Sequence, residues 1–196
     1  MQIYDISQPV FSCCVYPGDP SPQKQTLASI SEGDRYNLTA FSMCAHNGTH
    51  VDAPSHFLRD GYHVESIPLS HTVGKCFVAQ ADGEIDAAFA KNMVDKAISV
   101  DPECAQRILI KGNATVTLSA AHVFADAGVL LVGNESQSVG PIEAPMAVHQ
   151  ILLSQNIVLL EGIRLGAVEE GEYFLFSAPL CLNGAEGAPC RAILLK

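Results

Sequence analysis

The sequence predicts a mixed α/β fold with more than one small sheet, on three observations. Its candidate elements are short and of both kinds, some with apolar residues at period two and others at three- and four-residue spacing. Helix-then-strand units recur in the second half of the chain. No repeat, low-complexity stretch or charge run marks a linker, and 196 residues that are 48% hydrophobic suffice for one core, so a single domain over residues 1–196 is expected.

The elements follow in order. Residues 3–6 are strand-like and lead to Tyr16-Pro17-Gly18-Asp19-Pro20, whose Pro and Gly impose a turn. Residues 37–43 alternate (Leu38, Ala40, Ser42 against Thr39, Phe41, Met43), which favours a strand, and residues 73–79 read as another. Phe89, Met93, Val94, Ala97 and Ile98 make a helical stripe over 86–98, with Asp86 as its cap. Residues 107–111 read as a strand. Ser119 is placed to cap a helix over 120–127 that Gly128 ends, before a short buried strand at 129–132. A helix over 144–155, a strand at 157–160 and strands at 172–178 and 192–195 complete the chain.

Composition excludes several functions. Eleven Lys and Arg against 21 Asp and Glu give a net charge of −10, which opposes phosphate backbones and anionic lipid, so no nucleic-acid partner is expected. No apolar run approaches the ~18 residues of a membrane span. The opening Met1-Gln2-Ile3-Tyr4-Asp5 lacks the basic and apolar regions of a secretory signal, and a cytoplasmic protein without membrane contact is expected. Seven cysteines, an odd number with no CxxC pair, indicate neither a disulfide framework nor a zinc ribbon; most are expected to be reduced, buried small hydrophobes. Residues 133–140 do not follow GxGxxG, and GxSxG is absent, so neither a nucleotide site nor a serine hydrolase is supported.

Three of seven histidines fall within His46-Asn47-Gly48-Thr49-His50-Val51-Asp52-Ala53-Pro54-Ser55-His56, where an even spread would put fewer than one. The ligand-type residues 46, 50, 52 and 56 are all even-numbered, so an extended segment would project them to one side. Gly48 removes a side chain beside them and Pro54 stiffens the route to His56. Imidazole nitrogen and carboxylate oxygen suit Zn²⁺ and Mn²⁺, and a carboxylate can bridge two ions. The competing reading is a solvated loop rich in His and Asp, or core histidines satisfied by backbone bonds.

The string His46-x-Gly48-Thr49-His50-x-Asp52-x-Pro54-x-His56-Phe57 resembles the signature of the cyclase-like metal-dependent hydrolases, a family that includes bacterial kynurenine formamidases and isatin hydrolases. The resemblance continues in Asp5-Ile6-Ser7-Gln8-Pro9, in Tyr16-Pro17-Gly18-Asp19, and in His149 with Glu161-Gly162 twelve residues on. It ends with Glu170-Gly171-Glu172-Tyr173, Ala178-Pro179-Leu180 and the stretch from Gly184 through Glu186 to Ala192; residues 80–118 match only loosely.

The resemblance implies the swivelling β/β/α fold, mixed sheets with flanking helices. It implies two divalent ions, Zn²⁺ or Mn²⁺, one held by His46, His50 and Asp52 and a second by Asp52, His149 and Glu161, the glutamate bridging both. His56 matches the family's general acid/base, and Tyr16 stands where the formamidases pack a Trp on the substrate. Phe57, one residue beyond His56, is a candidate to line the pocket, with a place in the core as the alternative. The implied activity is hydrolysis of a small amide, N-formylkynurenine to kynurenine and formate first. Ring opening of a cyclic amide or lactone, or a non-catalytic metal-binding relative, are the alternatives. A dimer or tetramer is implied as well. Two departures stand out: Tyr16 replaces a Trp before the Pro-Gly-Asp turn, and Gly133 to Pro141 carries Glu135 and Gly140 where the family shows aspartates. His63, His71 and His122 match no ligand position and are expected to be ordinary surface or core residues.

Overall fold

The computed structural model describes residues 1–196. Thirteen strands and four α-helices occur in the order β1 (Ile3–Asp5), β2 (Gln23–Ala28), β3 (Leu38–Ser42), β4 (His50–Asp52), α1 (Leu69–Thr72), β5 (Val73–Gln80), β6 (Gly83–Ile85), α2 (Ala87–Val100), β7 (Arg107–Lys111), β8 (Ala114–Val116), α3 (Leu118–Asp126), β9 (Leu131–Asn134), α4 (Met146–Ser154), β10 (Val158–Glu161), β11 (Gly171–Phe176), β12 (Gly187–Pro189) and β13 (Ile193–Leu195). No helix is long and apolar enough to cross a membrane.

Nine strands form one mixed sheet in the order β1-β13-β11-β5-β7-β9-β10-β4-β12, and β2-β3 and β6-β8 form two small ribbons. The centre β5-β7-β9-β10 is parallel, built by strand–helix–strand crossovers, and antiparallel strands extend it on both sides. Central strands buried on both faces read as near-continuous apolar runs, as in Ile108-Leu109-Ile110. On one face Phe77, Ile108, Ile110, Val132 and Leu159 pack under Met93, Phe124 and Leu152 of α2, α3 and α4. On the other, Val78, Leu109, Leu131 and Leu160 join Val51, Tyr173 and Leu194 as the sheet curls on itself.

The expected strands and the three long helices are present, with ends shifted by at most two residues. Asp86 caps α2, accepting from Phe89 N–H at 2.8 Å. The cap of α3 is Thr117 and not Ser119: Thr117 Oγ1 accepts from Ala120 N–H and donates to the Ile85 carbonyl at 2.7 Å, so the helix begins earlier than its stripe suggests. The β2-β3 ribbon keeps its alternation without burying a face, since Leu27, Leu38 and Phe41 are all about half exposed. Of the cysteines only Cys76 and Cys104 are buried; all seven are free, so the expectation that most lie in the core is corrected.

The cap assignment is testable by urea unfolding. Thr117→Ala costs about 1 kcal/mol, within the usual range for a lost N-cap, whereas Ser119→Ala, which removes only an exposed hydroxyl contact to Thr117 Oγ1 at 3.0 Å, stays within about 0.5 kcal/mol. Equal losses at both positions would contradict the assignment.

Candidate metal centre

The histidine-rich motif folds as a turn, a strand and a second turn, not as the single extended run its even spacing suggests. His46 lies in the turn before β4, where Gly48 takes φ +67°. A Cβ on Gly48 would lie 2.8 Å from Cys13 Cβ, so this glycine makes room for the N-terminal segment, not for a ligand as expected. β4 sends His50 and Asp52 to one face and Val51 into the core on the other. The 3₁₀ turn Pro54–His56 then brings His56 back beside His46, their rings stacked at 4.0 Å.

Two distant elements complete the face. β10 pairs antiparallel with β4 and sets Glu161 opposite His50. α4 packs on the sheet through Val148, His149, Leu152 and Leu153, which puts His149 over the end of β10. His46 Nδ1 is 2.9 Å from Asp52 Oδ1, and His50 Nε2 is 3.4 Å from both Asp52 Oδ1 and Glu161 Oε2. His149 Nε2 lies 3.2 Å from Glu161 Oε1 and 3.7 Å from Asp52 Oδ2. All five residues predicted as ligands therefore meet, with His56 against them.

The outer ring nitrogens are fixed. His50 Nδ1 donates to the Gly48 carbonyl at 3.0 Å and His149 Nδ1 to the Pro145 carbonyl at 2.9 Å, which leaves both Nε2 atoms facing inward. This is the outer-sphere pattern of metal-binding histidines. Donor atoms of His46, His50 and Asp52 lie within 4.8 Å of one another, as do those of Asp52, His149 and Glu161. His50 Nε2 and Asp52 Oδ2 are buried without a hydrogen-bond partner, which fits a group that could hold a divalent cation.

Charge is balanced within the cluster. Burial opposes ionisation of Asp52, yet His46 and His50 hold its carboxyl well below the usual range. Burial and the charge of Asp52 push Glu161 upward, and the imidazoles of His149, hydrogen-bonded to it, and His50, 3.4 Å away, bring it below its ordinary value. Burial alone would neutralise the histidines; the two carboxylates override it, raising His46 and His149 and lifting His50 to about 10. His56 differs: burial lowers its pKa and no carboxylate hydrogen-bonds its ring.

The cluster floors a cavity of about 260 Å³ that Tyr16 and Phe57 also line, both half-buried. Tyr16 reaches across the mouth and its hydroxyl donates to the Ile142 carbonyl. Asp19, Gln137, Ser138 and Glu186 line the cavity too, and sequence reasoning assigned them no role. For Glu186 a signal existed, its place in the matching C-terminal string. Glu135 is structural: its carboxylate accepts from Gly112 and Leu165 N–H, each at 2.8 Å. His63, His71 and His122 lie outside the cluster, as expected.

The profile of the Cyclase family, described as "Putative cyclase", matches residues 4–141. The chain belongs to this family. Curated relatives cover it almost end to end. The kynurenine formamidase of Salinibacter ruber is 34% identical over 99% of this chain and 97% of its own, and that of Paracidovorax citrulli is 33% identical over 98% and 95%. A predicted metal-dependent hydrolase from Bacillus stearothermophilus superposes on this cyclase-family chain with a TM-score of 0.80 at 27% identity, covering 98% of this chain and 97% of its own. Isatin hydrolase A from Labrenzia aggregata shares the fold at TM-score 0.81 and 18% identity, over 98% and 93%. The curled mixed sheet with its helices is thus the cyclase fold.

Because protonated histidines balance the carboxylates, a cation entering this cluster displaces protons. Titrating ion-free protein with Zn²⁺ at pH 7 is expected to release protons, and apparent affinity should fall as pH falls. Calorimetry in buffers of different ionisation enthalpy checks this, and a binding heat independent of buffer would contradict it.

Proposed function

We propose that the protein is a metal-dependent amidohydrolase that converts N-formylkynurenine to kynurenine and formate. The observation that carries the reading is the sharing of Asp52 between two neighbouring His/carboxylate groups, in a chain whose full-length relatives are kynurenine formamidases. We assign His46, His50 and Asp52 to one ion and Asp52, His149 and Glu161 to a second, with Zn²⁺ and Mn²⁺ both suited to the donors. Ions held there supply Lewis acidity toward a carbonyl and lower the pKa of water toward about 7.

The chain's own residues do the rest. His56, kept neutral by burial, takes the proton of the attacking water and returns it to the departing aryl nitrogen. Tyr16 and Phe57 flank the cavity and present ring faces to an aromatic substrate. The Tyr16 hydroxyl bond to Ile142 holds that side chain across the mouth and narrows the path of water. The seven free cysteines suit a reducing compartment, and we assign the enzyme to the cytoplasm, with small molecules as its partners. We also assign a homo-oligomer, a dimer or tetramer, in which the β2-β3 ribbon with its exposed Leu27, Leu38 and Phe41 meets another copy. Light scattering on the purified chain tests this, and a monomer at micromolar concentration would refute it.

The activity is tested by steady-state hydrolysis of N-formylkynurenine after reloading with Zn²⁺ or Mn²⁺. Turnover with kcat/KM of about 10⁴ M⁻¹s⁻¹ or more is expected. His56→Ala should lose about 10²–10⁴-fold in kcat while keeping its metal, the usual worth of a general acid–base group. Glu161→Ala should lose both. Metal-loaded protein without turnover would reject this substrate and direct the search to cyclic amides and lactones, an outcome that Tyr16 in place of the family's Trp makes the one to examine next. A His56→Ala variant as active as the parent would remove His56 from the reaction.

A further inference from the structure

His46 stands apart from the other two histidines of the cluster. His50 and His149 turn their outer nitrogens to backbone carbonyls, whereas His46 turns Nε2 to a side chain, Glu186, whose Oε1 is 3.2 Å away. Its Nδ1 faces Asp52, the residue common to both candidate groups, so Nδ1 is the nitrogen on the metal side and Nε2–H is left to the carboxylate. A carboxylate on the outer nitrogen of a ligating histidine fixes its tautomer and ring plane and raises its basicity.

The next residue completes the cradle. Gly187 begins β12, which pairs antiparallel with β4 and sets Gly187 opposite Asp52. A Cβ on Gly187 would lie 2.7 Å from His46 Cε1 and 2.9 Å from the Val51 carbonyl, so the ring rests where any other residue would carry a side chain. His56 covers the opposite aspect by stacking at 4.0 Å. The ring is thus held at both nitrogens, one edge and one face, and two of those restraints come from the adjacent residues Glu186 and Gly187 where β12 begins.

We propose that Glu186 is a positioning residue that, with Gly187 behind it, orients His46 toward a divalent ion held together with His50 and Asp52. The inference rests on the metal-centre reading above but not on the choice of substrate. Through His46 the same contact sets the plane against which His56 stacks, so Glu186 acts on the proton-transferring ring by way of His46.

The test reads metal binding. Ion-free parent, Glu186→Gln, Glu186→Asp and Gly187→Ala proteins are titrated with Co²⁺ and Zn²⁺ in competition with a chromophoric chelator, and the visible band of the Co²⁺ forms is recorded. Glu186→Gln is expected to weaken one ion by about 10–100-fold, the usual effect of removing such a partner, to leave the other unchanged and to shift the Co²⁺ band. Glu186→Asp should recover part of the affinity, which a general loss of packing would not. Gly187→Ala should weaken the same ion while Glu186 is present. The Glu186 side chain is 46% exposed, so its variants are expected to melt near the parent temperature. Parent-like affinity and spectrum in Glu186→Gln would overturn the proposal and leave the metal centre standing. A parent protein that takes up neither ion would overturn both.

Discussion

Two carboxylates buried side by side are the constraint on which this structure depends. Asp52 and Glu161 are almost inaccessible and sit on neighbouring strands. Like charges in such a setting disfavour one another, and one of them ordinarily takes up a proton. Here three imidazoles and the Val139 N–H, which donates to Glu161 at 2.7 Å, share the charge out, and both carboxyls stay ionised. The arrangement demands that residues more than one hundred positions apart lie within hydrogen-bond reach. The antiparallel pairing of β4 with β10 provides this, because its register puts His50, Asp52 and Glu161 on one face.

Seen from that pair, the topology has a physical reason. A parallel β5-β7-β9-β10 core gives a rigid floor covered by helices on one face, and α4 brings His149 to that face at the end of β10. Adding β4 antiparallel at its edge lays a histidine-bearing strand against the floor, and β12 then closes the edge of β4. Ligands usually collect where strands of an open α/β sheet end and the order of connection changes. The cluster at the ends of β10 and β4 obeys that rule with side chains drawn from four separate segments.

How much of this was legible in the sequence varied with the length of the pattern. α2 and β5, fourteen and eight residues long, declare themselves, and each appears where its pattern puts it. β6, β8 and β12 are three residues long, too short for any period, and are set by pairing alone. The motif made His46, His50, Asp52 and His56 conspicuous, yet the extended geometry inferred from their even spacing holds only for His50 and Asp52. His149 and Glu161 carried no local signal; only the resemblance to known hydrolases pointed to them. Glu186 reaches His46 from 140 positions away through the pairing of β12 with β4, a contact no local window contains.

The division of labour among the histidines follows from what each one faces. Four imidazoles crowd one cavity, and crowding alone would depress all of them, since each opposes the charge of the next. Three escape because a carboxylate lies on the ring, and these carry proton charge in the ion-free protein, His50 up to about pH 10. His56 meets Asp52 and Glu161 only at a distance, so burial wins and its proton is lost below the ordinary value. Neighbouring groups whose environments drive their pKa values apart are the mark of a site that separates structural charge from proton transfer. Carboxylates hydrogen-bond both nitrogens of His46 and neither nitrogen of the ring stacked against it, so burial prevails at His56 and leaves it free to accept a proton at neutral pH.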